Sequence, residues 1–144
     1  PDLHRIGGKY SDNWHLNHFY DPQSTSSGSI MPSYKWLITT KLDKTQSESK
    51  MEAMVALGVP YSEEEIARAQ EWMTEQGIQI EKNLYADPDF VTTYEADKKY
   101  AEDNGLEFVE MRDREVVAVI AYLQRLGTDI KIKSTEEATT NQNQ

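Results

Sequence analysis

The chain has 144 residues, of which 38% are hydrophobic and 28% charged, and it carries a formal net charge of −10. That length and composition suit one globular domain with a modest core, and the charge excludes a nucleic-acid binder, which needs a basic face for phosphates. There is no cysteine, which excludes disulfides, thiolate metal sites and thiol nucleophiles, and no stretch approaches the ~20 apolar residues of a membrane span.

Residues 1–41 are rich in aromatic and turn-forming residues. Ser11 is placed to cap a helix that runs through about Tyr20, where Asp21-Pro22 stops it. The polar run from Ser24 to Ser29 reads as a loop that delivers Met31. Residues 43–110 read as a set of helices. Thr45 and Glu48 have capping-box spacing, and the helix after them carries Met51, Met54 and Val55 on one face, ending at Gly58. A second capping box, Ser62 with Glu65, starts a helix predicted to run to Gln76, with Tyr61 stapled to Ile66. Its inward face is Ile66, Ala69 and Met73, and Gly77 ends it. Ile78-Gln79-Ile80 and Leu106–Met111 then read as short extended segments that could pair. Asp87-Pro88 opens a helix with Phe90, Tyr94 and Ala101 as its apolar stripe, closed by Asn104-Gly105. The last helix spans residues 113–126, capped by Asp113, with Gly127 in the left-handed position. Its apolar residues Val116, Val117, Val119, Ile120, Tyr122 and Leu123 lie on more than one face, so it should pack on two sides. The polar residues from Ser134 onward read as a disordered tail (131–144).

The chemistry-bearing feature is Ser29-Ile30-Met31-Pro32-Ser33-Tyr34. A thioether is a soft ligand, and methionine with histidine is a standard axial pair for haem iron. Proline after Met31 holds the sulfur outside a helix. The complementary Cys-x-x-Cys-His is missing, because there is no cysteine.

Three segments in order carry a resemblance: Pro1–His15 (Pro-Asp-Leu-His-Arg-Ile-Gly-Gly-Lys-Tyr-Ser-Asp-Asn-Trp-His), Ser29–Tyr34, and Glu115–Thr128 (Glu-Val-Val-Ala-Val-Ile-Ala-Tyr-Leu-Gln-Arg-Leu-Gly-Thr). Together with Leu57-Gly58-Val59-Pro60-Tyr61-Ser62, they resemble the membrane-anchored mono-haem cytochrome c subunit (subunit II) of cbb3-type cytochrome c oxidases, over most of residues 1–130. The resemblance implies an all-α, incomplete cytochrome c-like domain, with a helical insertion at about 43–110 between the methionine loop and the C-terminal helix. It implies that Met31 is the axial ligand of haem c in the intact protein. The Pro1 carbonyl would accept a hydrogen bond from the proximal histidine, as such contacts orient metal-bound imidazoles. Arg5 is a candidate partner for a haem propionate, and Trp14 a candidate wall of the porphyrin site. Because that family carries its anchor and Cys-x-x-Cys-His upstream, the chain is expected to be a fragment, inactive and without bound haem by itself. The implied setting is electron transfer in a bacterial inner-membrane oxidase with this domain in the periplasm. The implied partners are the catalytic and other oxidase subunits and a soluble cytochrome c donor.

Other signals have plainer readings. His15 and His18 could share a helical face, yet two ligands without a third make a poor metal site. Glu63-Glu64-Glu65 fits a helix first turn, where carboxylates meet the dipole, better than an acid–base pair. Gly7-Gly8 is too short for a phosphate loop. Val116, Ile120 and Leu123 would lose neighbours without the upstream helix, so the chain is expected to cover them by self-association or with the 43–110 helices. The alternative to the cytochrome reading is a haem-free helical interaction module.

Overall fold

Side-chain capping sets four of the eight described α-helix starts in the computed structural model, which describes residues 2–128. Ser11 accepts from the Trp14 amide and starts α1 (Asp12–Tyr20); Asp21 ends it and caps the short α2 (Pro22–Thr25) through the Gln23 amide. α2 therefore takes in Ser24 and Thr25, the first residues of the expected loop. α3 (Lys35–Thr39) follows the methionine segment. α4 (Ser47–Ala56) and α5 (Glu63–Ala67) come next, then α6 (Ala69–Leu84), α7 (Pro88–Asp103) and α8 (Glu115–Arg125). A 3₁₀ turn, Met111–Asp113, precedes α8. Among the described residues there is no strand, only an isolated bridge between Lys41 and Arg114. The architecture is all-α, as expected. Pro1 and the tail from residue 131 lie outside the described residues.

Several local expectations are corrected. Thr45 does not cap α4: its N–H and hydroxyl both donate to Asp43, at 2.9 and 2.6 Å, which makes a turn, and the helix begins two residues later. The capping box of Ser62 and Glu65 is present, with both reciprocal bonds. The helix it starts breaks at Arg68, and α6 then continues through Gly77 to Leu84. Ile78–Ile80 is therefore helical, not extended. Gly77, Ile80, Glu81 and Leu84 are buried at helical spacing along α6. Gly77 is a point of close approach: a Cβ there would lie 2.6 Å from the Arg112 carbonyl oxygen. Asp113 does not cap α8. It accepts from Lys44 Nζ at 2.6 Å, while Arg114 occupies the cap position without a side-chain bond. Asp87 caps α7, and Gly105 and Gly127 have positive φ, as expected.

The core joins Leu16 of α1, Ile80 and Leu84 of α6, Tyr94 of α7, Met111, and Val116, Val117 and Ile120 of α8. α8 packs on α1, α3 and α6. Val116 and Ile120 are fully buried, so α6, from the 43–110 region, closes the face expected to need a partner. Tyr122 stays largely exposed.

A polar knot around the buried Asp12 fixes α1 on this core. Asp12 accepts from Asn83 Nδ2 and from Gln124 Nε2, both at 2.7 Å, and so links α1, α6 and α8. Gln124 also donates to the Tyr10 carbonyl and accepts from the Gly8 N–H, each at 2.9 Å. Replacing Gln124 by Ala removes all three bonds and strands part of the Asp12 carboxylate. The expected cost is about 1–3 kcal/mol, read as a lower urea midpoint at unchanged slope. An unchanged midpoint would show that the knot contributes nothing to the fold.

Candidate functional site

The segment carrying Met31 hangs from the C-terminal end of α1. Gly28, at φ 77°, reverses the chain before it. Ser29 is held at both ends of the residue: its carbonyl accepts from Gln23 Nε2 and its hydroxyl from the Met31 N–H, each at 3.3 Å. After Pro32, the Ser33 hydroxyl donates to the Tyr20 carbonyl at 2.6 Å, and the Tyr34 N–H donates to the Phe19 carbonyl at 2.8 Å. The loop is thus pinned on both sides of Met31. Met31 is half-buried, whereas its neighbour Ile30 is fully exposed.

Trp14 lies on the same helix. Its ring is sandwiched between Tyr10 at 3.9 Å and His18 at 4.5 Å, both nearly parallel to it. Helical i, i+4 spacing accounts for the Trp14–His18 pair, while Tyr10, before the N-cap Ser11, folds back onto the first turn of α1. His18 Nδ1 meets Thr25 Oγ1 at 2.5 Å, tying the column to α2 and so to the loop. The Trp14 column and the Met31 segment are thus both anchored on α1, the column through Trp14 and His18 and the segment through Phe19 and Tyr20.

Arg5 is placed differently. It is exposed, on a strap that crosses the end of α8. The Gly7 N–H donates to the Leu126 carbonyl at 2.9 Å. A Cβ on Gly127 would lie 2.6 Å from the His4 carbonyl oxygen, so only glycine lets the strap approach this closely. No hydrogen bond or ring contact among the described residues joins Arg5 to Met31 or Trp14. Pro1 lies outside the described residues.

His15 was read as a weak metal candidate, and its surroundings are informative. It is buried, edge-on to Trp14 at 5.3 Å. Its Nε2 is sealed from solvent and has no hydrogen-bond partner among the described residues. Burial pushes its pKa below the ordinary 6.5; the carboxylate of Asp12 works the other way, and His18 adds to the lowering. Below 6.5 the unfolded chain takes up a proton that the folded chain refuses. The stabilisation is therefore complete above 6.5 and is lost as pH falls from there through the folded value. Folding stability is expected to fall from about pH 6.5 downward, and His15→Gln should flatten that part of a stability-against-pH curve. A parent curve flat through this window would contradict the burial of a neutral His15.

Glu110 adds a second acid-labile contact. The Tyr94 hydroxyl donates to it at 2.7 Å and Lys98 at 3.1 Å. Led by the Tyr94 bond, these hold its carboxyl below the usual range against the opposing effect of burial.

The acidic triplet takes its structural role. Glu65 closes the capping box, and Glu64 stands 4.0 Å from Arg68. Two groups escaped sequence reading. Gln124 gave no signal, because its partners are more than a hundred residues away. Arg114 is buried and donates to the Val109 and Ile38 carbonyls at 2.9 and 3.1 Å, with Tyr94 and Phe108 rings at 5.5 and 5.2 Å. It lines a cleft of about 500 Å³ between α1 and α7. That cleft is not lined by Met31, Arg5 or Trp14.

Among the described residues, no cluster of three or more His, Cys, Asp or Glu could hold a metal ion. The thioether of Met31, on a pinned and half-buried loop, is a donor type that haem iron takes, whereas both faces of the Trp14 ring are already covered by Tyr10 and His18. With no cysteine in the chain, covalent attachment would have to come from residues outside these 144.

A family model described as "Cytochrome C oxidase, mono-heme subunit/FixO" matches residues 1–130. No curated protein matches the chain.

Proposed function

Because the chain belongs to the mono-haem subunit family of cytochrome c oxidase, we propose that it supplies the axial-methionine side of that subunit's haem domain. What supports this reading is that the family match spans the Met31 loop and the elements pinning it, α1 and α2. Haem c, when bound, supplies a one-electron couple between ferrous and ferric iron. The residues of this chain bind and tune. Met31 would hold the iron through its thioether sulfur. The Trp14 column excludes water from that side. Arg5 is free to meet a propionate, and the Pro1 carbonyl would orient the proximal imidazole. No substrate bond is made or broken at such a site, so no catalytic residue is assigned.

The partners follow from the same reading: the catalytic and other subunits of the oxidase, with a soluble cytochrome c as donor. Anchoring to the bacterial inner membrane, with this domain in the periplasm, would come from elsewhere in the subunit. No described helix is long and apolar enough to cross a membrane.

The test is a haem-loaded polypeptide containing this chain, compared with its Met31→Ala variant. Thioether ligation favours the ferrous state, so the variant should lose its methionine-ligated ferric spectrum and its reduction potential should fall. An unchanged spectrum and potential would remove Met31 from the iron.

A further inference from the structure

The α4–α5 hairpin presents large apolar side chains that the other described residues leave exposed. No residue of α4 is buried. Leu57 is 80% exposed, with Met54, Val55 and Tyr61 beside it in sequence at 44%, 40% and 39%. These side chains are not on a slack loop. Gly58, at φ 93°, turns the chain, the Val59 N–H donates back to the Met54 carbonyl at 3.0 Å, and the Tyr61 N–H donates to the Val59 carbonyl at 2.9 Å. A preorganised apolar spot of this kind loses little entropy when covered.

Charge says what covers it. Residues 47–76 contain seven glutamates against one lysine and one arginine, a net −5, which is half the charge of the chain. The arginine is already engaged: Arg68 Nε donates to Glu71 at 2.8 Å and its guanidinium lies over Trp72 at 5.2 Å. The negative charge of this segment attracts a basic partner and repels acidic ones. A second copy would bring −5 against −5, and an anionic lipid surface is disfavoured in the same way.

We propose that this hairpin docks a protein surface with an apolar centre ringed by lysines. The inference does not require haem, so it stands or falls separately from the assignment of Met31. The apolar residues provide the contact that excludes water, and the glutamates provide approach and register.

The probe is an amphipathic helical peptide with leucines along one face flanked by lysines. Its control is the same peptide with every lysine replaced by glutamate. Each is titrated into the full 144-residue chain while amide shifts are followed by NMR. The lysine peptide should bind saturably, with shifts concentrated at residues 51–65. Affinity should fall about tenfold or more in the Met54→Ser/Leu57→Ser double variant and fall again at high salt. Both positions are exposed, so the variant keeps the fold, which its circular dichroism and melting temperature verify. Equal binding of the glutamate peptide, shifts centred elsewhere, or no loss in the double variant would overturn the proposal. So would sedimentation showing the chain pairing with itself through these residues.

Discussion

Ile120→Ala lowers the unfolding free energy by about 2–5 kcal/mol. Ile120 is fully buried, in the helix that meets α1, α3 and α6. Truncation loses the transfer energy of three carbons and leaves a cavity. The walls of that cavity belong to several elements, so no single helix can shift to fill it. Against a total stability of about 5–15 kcal/mol for a domain, the loss is large. Urea unfolding of the variant should show a much lower midpoint with little change in slope. A loss below about 1 kcal/mol would mean that α8 is not seated on α6, and the closure of the core by the 43–110 region would be wrong.

Gly77→Val is expected to be comparably damaging, and its sign is the informative part. In an ordinary exposed helix, replacing an interior glycine relieves about 0.5–1 kcal/mol of backbone entropy. At position 77 the new Cβ would stand 2.6 Å from the Arg112 carbonyl oxygen. That oxygen cannot move away cheaply. It belongs to the Met111–Asp113 turn, which is tied by the Asp113 N–H to the Glu110 carbonyl at 2.9 Å and by the Arg112–Glu81 ion pair at 3.0 Å. Overpacking against backbone costs about 1–3 kcal/mol, and β-branching puts Val at the upper end. Thermal melts of Gly77→Ala and Gly77→Val should both shift downward, Val further. An upward shift for Ala would show that α6 and the turn are not in contact.

The same glycine shows where sequence reasoning stops. Gly58, Gly105 and Gly127 end helices with positive φ, and their sequence context announces it. Gly77 carries the same letter for a different reason, close approach to a turn 35 residues later, which local pattern cannot reveal. The caps Ser11, Asp87 and Ser62–Glu65 were legible because their partners sit two or three residues away. Asp113 looked like a cap and is instead a partner of Lys44, 69 residues distant. The candidate site follows the same division. Met31 stands out in the sequence by its flanking residues, its role being part of the proposal, and the Trp14–His18 stack was latent in a four-residue helical spacing. The orphaned His15 nitrogen and the strap that carries Arg5 over Gly127 depend on packing, and no motif encodes them.

In the function proposed, the sulfur of Met31 would be an iron ligand. Iron-edge X-ray absorption on the haem-loaded polypeptide and on its Met31→Ala counterpart tests it at the atom concerned. A sulfur neighbour in the parent's first coordination shell that vanishes in the variant is the predicted result. A parent without sulfur at iron, or a variant that retains it, would contradict the assignment.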